Sequence, residues 1–392
     1  SQYLTRMRTD PGYNRFKEDM EYFLKRIPNI GPRMAEMADR LKDTVKHMLT
    51  SGSWFEELGL RYYGPVNGHD IEELSHVFEN SKQFDCPVLI HCLTEKGRGY
   101  LPAQKNPGKF HGVGAFDIST GETLDKSTQP SYTKVFANTL VDLAASDSRI
   151  CGITAAMASG TGMDAFPKAY PKRAFDVGIA EEHATTMASA MALSGLKPVV
   201  AIYSTFMQRA YDQLIHDCAL QNAPVVFALD RAGIVGADGP THHGVFDLSF
   251  LRTIPNMTVI QPADYVSARK LVRAAAETYG PMFLRFTRDA VPVIYDEDAE
   301  FTIGKANKLR EGKDVAIIAV GDTVRLAIEA AEALAKQGIE ARVLDMHTIK
   351  PLDTEAVNAC IADIGKIVTV EDHNILNALG SAVCECVAEA GR

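Results

Sequence analysis

Between residues 131 and 290 short apolar runs alternate with helical stretches, and that alternation leaves few architectures open. The runs are AFDVGI (174–179), VVAIY (199–203), VVFAL (225–229), TVI (258–260) and MFLRF (282–286). This rhythm predicts a parallel sheet with crossover helices. Residues 313–392 restart it, with 315–320, 343–346 and 367–370 reading as strands. Val324, Ala327, Ile328, Ala331 and Leu334 make a helical stripe, and Gly338 suits the position after its end. Tyr211, Leu214, Ile215 and Cys218 make another helical face. The expected fold is α/β: consecutive domains with parallel sheets flanked by helices.

A length of 392 residues suits two or three domains. Two stretches read as linkers: AFDISTGETLDKSTQP (115–130) and the proline-containing, acidic 290–301. The blocks are then 1–120, 131–295 and 300–392. Residues 1–52 read as polar and helical, with apolar positions at helical spacing over 33–49, and 87–93 as a short strand.

The formal charge of −9 argues against a general nucleic-acid binder, though it leaves room for a local cationic pocket. No apolar run reaches membrane-spanning length, and the first ten residues lack the apolar core of a signal peptide. Seven scattered cysteines, with Cys384 and Cys386 the one close pair, suit reduced thiols in a cytoplasmic compartment. None has the spacing of a four-ligand zinc site.

Polar residues in 176–217 cluster at element ends, where open α/β sheets place ligand sites. Glu181 follows an apolar run and opens an Ala/Met-rich helix; Tyr203, Phe206 and Arg209 follow the next strand. One reading is a carboxylate that bonds a cofactor ring beside an aromatic wall. The other is an acidic first turn that complements the helix dipole.

This segment resembles the 1-deoxy-D-xylulose-5-phosphate synthase family, thiamine diphosphate enzymes of the transketolase superfamily. IAEEHA (179–184) and YSTFMQRAYDQ (203–213) carry the resemblance most directly. FEELGLRYYGPVNGHD (55–70), KGRGY (96–100), DRAGIVGADGPTHHGVFD (230–247) and FLRFTR (283–288) extend it along nearly the whole chain. It implies that 1–120 is the C-terminal part of a diphosphate-binding domain, 131–295 a pyrimidine-binding domain, and 300–392 a shortened transketolase C-terminal domain.

The resemblance also implies roles. Glu181 would be the catalytic glutamate that bonds N1′ of the cofactor aminopyrimidine, a task a buried carboxyl suits because it can share a proton with the ring. Phe206 would stack on that ring, with Tyr203 and Arg209 lining the pocket. Read alone, Phe206 is a core residue and Arg209 a surface ion pair. Arg231 and Arg288 would clamp the phosphate of glyceraldehyde 3-phosphate, since two guanidiniums can hold phosphate bidentately. Asp238 and His242 would contact its polar groups; alone, His242 and His243 read as structural. His111, in FHG, would face the pyruvate-derived part, and Lys96 would lie near the diphosphate, with a solvated loop lysine as the alternative.

The implied reaction is 1-deoxy-D-xylulose-5-phosphate synthesis from pyruvate and glyceraldehyde 3-phosphate, in a homodimer using thiamine diphosphate and Mg²⁺. Two rivals stay open: a transketolase, which GADGPTHHGVFD and QRAYDQ argue against, and a non-catalytic fragment of such an enzyme. The family's G-D-G motif and its following Asn, which hold Mg²⁺ and diphosphate, do not occur in these 392 residues. Gly236-Ala237-Asp238-Gly239 is no substitute, because the next Asn, Asn256, comes too early. The chain is therefore expected to be a fragment, or part of a larger polypeptide.

Overall fold

The computed structural model describes residues 54–56, 58–124, 130–288 and 290–391. The helical expectation for 1–52 lies outside them. The chain forms two compact units, residues 1–126 and 127–392.

In the first unit β1 (Arg61–Asn67) and β2 (Val88–Leu93) pair in parallel, as a crossover through α1 (Ile71–Ser81) requires. Asp70 caps α1 by accepting from Glu73 N at 3.0 Å. Much of the expected linker at 115–130 is ordered here. Phe116 and Thr123 form an antiparallel bridge, and Asp117 Oδ1 accepts from Ser119 N at 2.8 Å and Thr120 N at 3.1 Å. The Gly, Ser and Thr read as linker signals form a turn there, and the boundary between the two units, 126/127, falls inside the same stretch.

The second unit holds two sheets. The larger is built from β3 (Ile150–Thr154), β4 (Ala174–Asp176), β5 (Lys197–Tyr203), β6 (Val226–Asp230), β7 (Thr258–Ile260), β8 (Met282–Arg285) and β12 (Thr348–Lys350). Its order is β12-β7-β8-β6-β5-β3-β4, parallel except for β12. The smaller sheet has the order β13-β10-β11-β9, from β9 (Asn307–Arg310), β10 (Val315–Ala319), β11 (Ala341–Asp345) and β13 (Ile367–Val370). There β9 alone runs antiparallel, against β11. The α/β architecture with flanking helices is as expected; β9 and β12 are edge strands too short and too polar to stand out in the sequence.

The larger sheet is covered on both faces. On one lie α2 (Tyr132–Ser146) and α4 (Tyr265–Glu277), packed on Val199, Ala201, Ala228 and Leu284. On the other lie α3 (Glu181–Leu193) and the Leu214–Ala219 π-helix. That second core layer continues without a break through Ile318, Leu344, Ile349, Val357 and Leu379, which come from the last hundred residues. Helices α5 (Thr323–Ala335), α6 (Thr354–Asp363) and α7 (Leu379–Glu389) complete the unit.

Two local departures matter for the site. The run expected as a strand to residue 179 ends at Asp176, whose Oδ1 accepts from Ala156 N at 2.8 Å and Gly178 N at 3.0 Å. Gly178 has φ +73°, which ends the extended chain and aims Glu181 inward. The 211–218 face is realised partly as a π-helix, a wider turn that buries Leu214 and Cys218.

Candidate active site

The carboxyl ends of β5 and β6 lie side by side, with Tyr203 paired to Asp230 in register. Around this edge the second unit gathers Glu181, Tyr203, Phe206, Arg209, Arg231, Asp238, His242 and Arg288.

Glu181 is the first residue of α3 and is 1% exposed. Its Oε1 accepts from Arg209 Nη1 at 2.6 Å, whereas its Oε2 is buried without a partner. A buried carboxylate oxygen left bare is costly, so it marks a place where a donor from elsewhere would be favoured. The helix-dipole reading suits the exposed Glu182 better. The Arg209 guanidinium lies 4.8 Å from the Phe206 ring centre, so it is tied to the site and is not a lone surface ion pair. Phe206 is half-buried and stacks on Tyr203 at 5.9 Å, and His242 sits edge-on to Phe206 at 5.3 Å. Burial also raises the Tyr203 hydroxyl above its ordinary range.

Arg231 is held in an unusual way. Its φ is +60°, a conformation that side chains rarely adopt. Asp230, fully buried, accepts from Arg231 N at 2.7 Å and Nη1 at 2.8 Å, and from Thr133 Oγ1 at 2.6 Å. Nη1 also donates to Gly160 O at 2.5 Å, and the guanidinium lies 4.5 Å from the Tyr203 ring centre. Asp238 bridges the two arginines: its Oδ1 accepts from Arg288 Nη1 at 2.6 Å and its Oδ2 from Arg231 Nε at 3.4 Å.

The loop that carries Asp238 and His242 is anchored by charges the sequence reading passed over. Arg285 and Asp247 are both 1% exposed, and their ion pair spans 2.8 Å. Arg285 also donates to Gln261 Oε1 at 2.7 Å, Gly244 O at 3.1 Å and Asp372 O at 2.8 Å. Burial pushes the Asp247 carboxyl up, but Arg285 and His373 outweigh it and hold the group below its usual range. Asp372 Oδ2 accepts from Ile234 N at 2.9 Å, and a Cβ on Gly233 would collide with that carboxyl. Both Arg285 and Asp247 stood inside motifs already quoted, FLRFTR and GVFD. Gly160 is a further residue that sequence missed: a Cβ there would strike the Tyr203 hydroxyl.

Lys96 and His111 belong to the first unit, where Lys96 Nζ lies 2.7 Å from His111 Nδ1 and both are exposed. His243 Nδ1 accepts from Val235 N at 3.1 Å, a structural role within the loop.

The residues fit one half of thiamine diphosphate. The bare Glu181 Oε2, on a carboxyl linked through Arg209 to the Phe206 ring, suits an aminopyrimidine. Among the described residues, however, no group of three or more His, Cys, Asp or Glu could hold a metal ion. No helix among them is long and apolar enough to cross a membrane.

Three family models match the chain: the pyrimidine binding domain of transketolase over 128–293, its C-terminal domain over 304–391, and 1-deoxy-D-xylulose-5-phosphate synthase over 1–94. The synthase of Desulfitobacterium hafniense strain Y51 is 50% identical over 100% of this chain and 62% of its own length. That of Heliobacterium modesticaldum is 49% identical over 100% and 61%. The chain thus spans about three fifths of the curated relatives it matches. A solved chain described as "Split gene transketolase, inactive beta4 tetramer" is 34% identical, with a TM-score of 0.62 over 67% of this chain and 86% of that one. Leishmania mexicana transketolase, 23% identical with a TM-score of 0.53 over 64% and 39%, shares the fold.

These findings correct one expectation. They put the notion of a piece of such an enzyme ahead of the full condensation of pyruvate with glyceraldehyde 3-phosphate, because the chain spans 62% of a synthase it matches over its whole length. The solved chain of 34% identity is described as inactive, and the described residues lack a metal-holding group.

Proposed function

We propose that this chain, which belongs to the 1-deoxy-D-xylulose-5-phosphate synthase family of the transketolase superfamily, supplies the aminopyrimidine half of a thiamine diphosphate site and does not turn over by itself. The observation that carries this reading is the buried Glu181 Oε2, which has no hydrogen-bond partner, on a carboxyl that Arg209 ties to the Phe206 ring. When bound, thiamine diphosphate supplies the electron sink of the family's chemistry.

Each residue then has a defined task. Glu181 Oε2 holds the hydrogen bond at ring atom N1′, while Arg209 fixes the carboxyl through Oε1. Phe206 offers its ring for stacking, a contact worth about 0.5–1.5 kcal/mol beyond area burial. Arg231 and Arg288 hold the phosphate of a substrate such as glyceraldehyde 3-phosphate, with His242 beside it to exchange protons near neutral pH. Lys96 and His111, by the family resemblance alone, are assigned to the diphosphate and to the pyruvate-derived part. Mg²⁺ and its ligands come from residues other than those described, and self-association, as a dimer in the first instance, completes the assembly.

Calorimetry tests this directly. The 392-residue chain with Mg²⁺ present should bind thiamine diphosphate more weakly than micromolar, because stacking and one carboxyl bond do not offset the freedom lost on binding. It should form no product from pyruvate and glyceraldehyde 3-phosphate. Micromolar binding or measurable turnover by the verified chain would overturn the proposal.

A further inference from the structure

Asp238 sits where the ligand of the arginine pair should sit. Its two oxygens are taken one by Arg288 and one by Arg231, at 2.6 and 3.4 Å, the arrangement two guanidiniums adopt around an anion. Arg231 is also neutralised by Asp230, which is fully buried and takes three hydrogen bonds. Two guanidiniums therefore face two carboxylates. An arriving phosphate meets no net positive charge until one carboxylate leaves, and Asp230 has no exposed route out.

The backbone separates the two carboxylates in the same sense. Asp230 ends a central strand. Asp238 lies on a loop pinned at its base by backbone bonds, while Asp238 itself, near the tip, is held by the two arginines. At the base, Gly233 and Gly244 exchange hydrogen bonds of 2.9 and 2.8 Å, and Asp372 holds Ile234 N. At the tip, Gly236 and Gly239 flank Asp238 with φ +54° and +84°, and a Cβ at either would meet nothing within 4 Å. Glycines in open space let the tip re-aim without repacking.

We infer that Asp238 is a built-in competitor for the arginine clamp, which an anionic ligand enters by displacing it, and that it thereby selects dianionic phosphates over carboxylates. This rests on the reading of Arg231 and Arg288 as an anion site. A free monocarboxylate offers the clamp the same chemistry as Asp238, but Asp238 is tethered at high effective concentration and wins. A phosphate monoester carries close to two charges above pH 7 and three acceptor oxygens, so it can span both guanidiniums and prevail.

The test uses the full chain, glycerol 3-phosphate and acetate as probes, and calorimetry at fixed ionic strength. The unaltered chain should bind the ester and not acetate. Asp238→Ala and Asp238→Asn should each bind the ester on the order of tenfold more tightly, the effect of removing one charged competitor. Both should also acquire acetate binding. Equal or weaker ester binding in both variants would overturn the inference while leaving the clamp intact. Adding Arg288→Ala to Asp238→Ala should abolish the gain. If it does not, or if neither single variant binds the ester at millimolar concentration, the anion-site reading itself falls, and the inference with it.

Discussion

Asp345 and His347 are fully buried two residues apart, and burial drives their titrations in opposite directions. Burial pushes the Asp345 carboxyl up to about 7, from 3.8, although the Tyr295 hydroxyl donates to it at 2.7 Å. Burial pulls the His347 imidazole down to about 4, from 6.5. Asp345 Oδ1 and His347 Nε2 have no partner. From pH 3.8 to about 7 the folded chain holds more protons at Asp345 than the unfolded chain, so that contribution to stability falls as pH rises. From about pH 4 to 6.5 the unfolded chain holds more protons at His347, so that contribution grows with pH. In the shared window the two slopes oppose each other. Urea midpoints of Asp345→Asn should therefore fall more steeply than those of the unaltered chain on acidification through this window. Those of His347→Gln should fall as pH rises through it. Identical pH slopes in all three proteins would show that neither group titrates with folding.

At the scale of elements, α4 is the helix whose start carries most. Asp264 Oδ1 accepts from Ser267 N at 2.7 Å in a capping box, while its Oδ2 accepts from Ile294 N and Tyr295 N at 2.9 Å each. One buried carboxylate thus starts a helix and fixes the chain after β8. Asp264→Ala should cost about 0.5–2 kcal/mol for the cap. Each of the two loop N–H groups left bare adds about 1–3 kcal/mol. Asp353 is a natural comparison: it caps α6 through Ala356 N at 3.1 Å and holds one loop N–H, that of Ala306, at 2.9 Å. Denaturant titration should rank the loss for Asp264→Ala well above that for Asp353→Ala. The reverse order would mean that the loop bonds contribute little.

Across the second unit, the last hundred residues act as part of the same body as the pyrimidine block. Strand β12 closes the free edge of β7, and Ile318, Leu344 and Leu379 continue the core beneath the larger sheet. A chain of residues 127–300 would present β7 as an unpaired edge and a stripped apolar face, a template for edge-to-edge pairing. It should aggregate, whereas residues 127–392 should stay dispersed under the same conditions, as light scattering would register. A monodisperse 127–300 piece would show that the shared core is dispensable.

The order of strands and helices was legible because apolar period and element length are local properties. Strands β5, β6, β7, β8, β10 and β13 stood within a residue or two of their expected ends. The position of Tyr203, Phe206, Arg209 and Arg231 at or just after the ends of β5 and β6 was legible too, since their motifs stand whole in the sequence. Folding alone decided which oxygen of Glu181 stays bare, which carboxylate bridges Arg231 and Arg288, and that a strand from residue 348 onward would finish a sheet begun near residue 150. Those outcomes depend on contacts between residues far apart in the chain. A charge such as Arg285 looks the same in sequence whether it meets water or, as here, four protein acceptors.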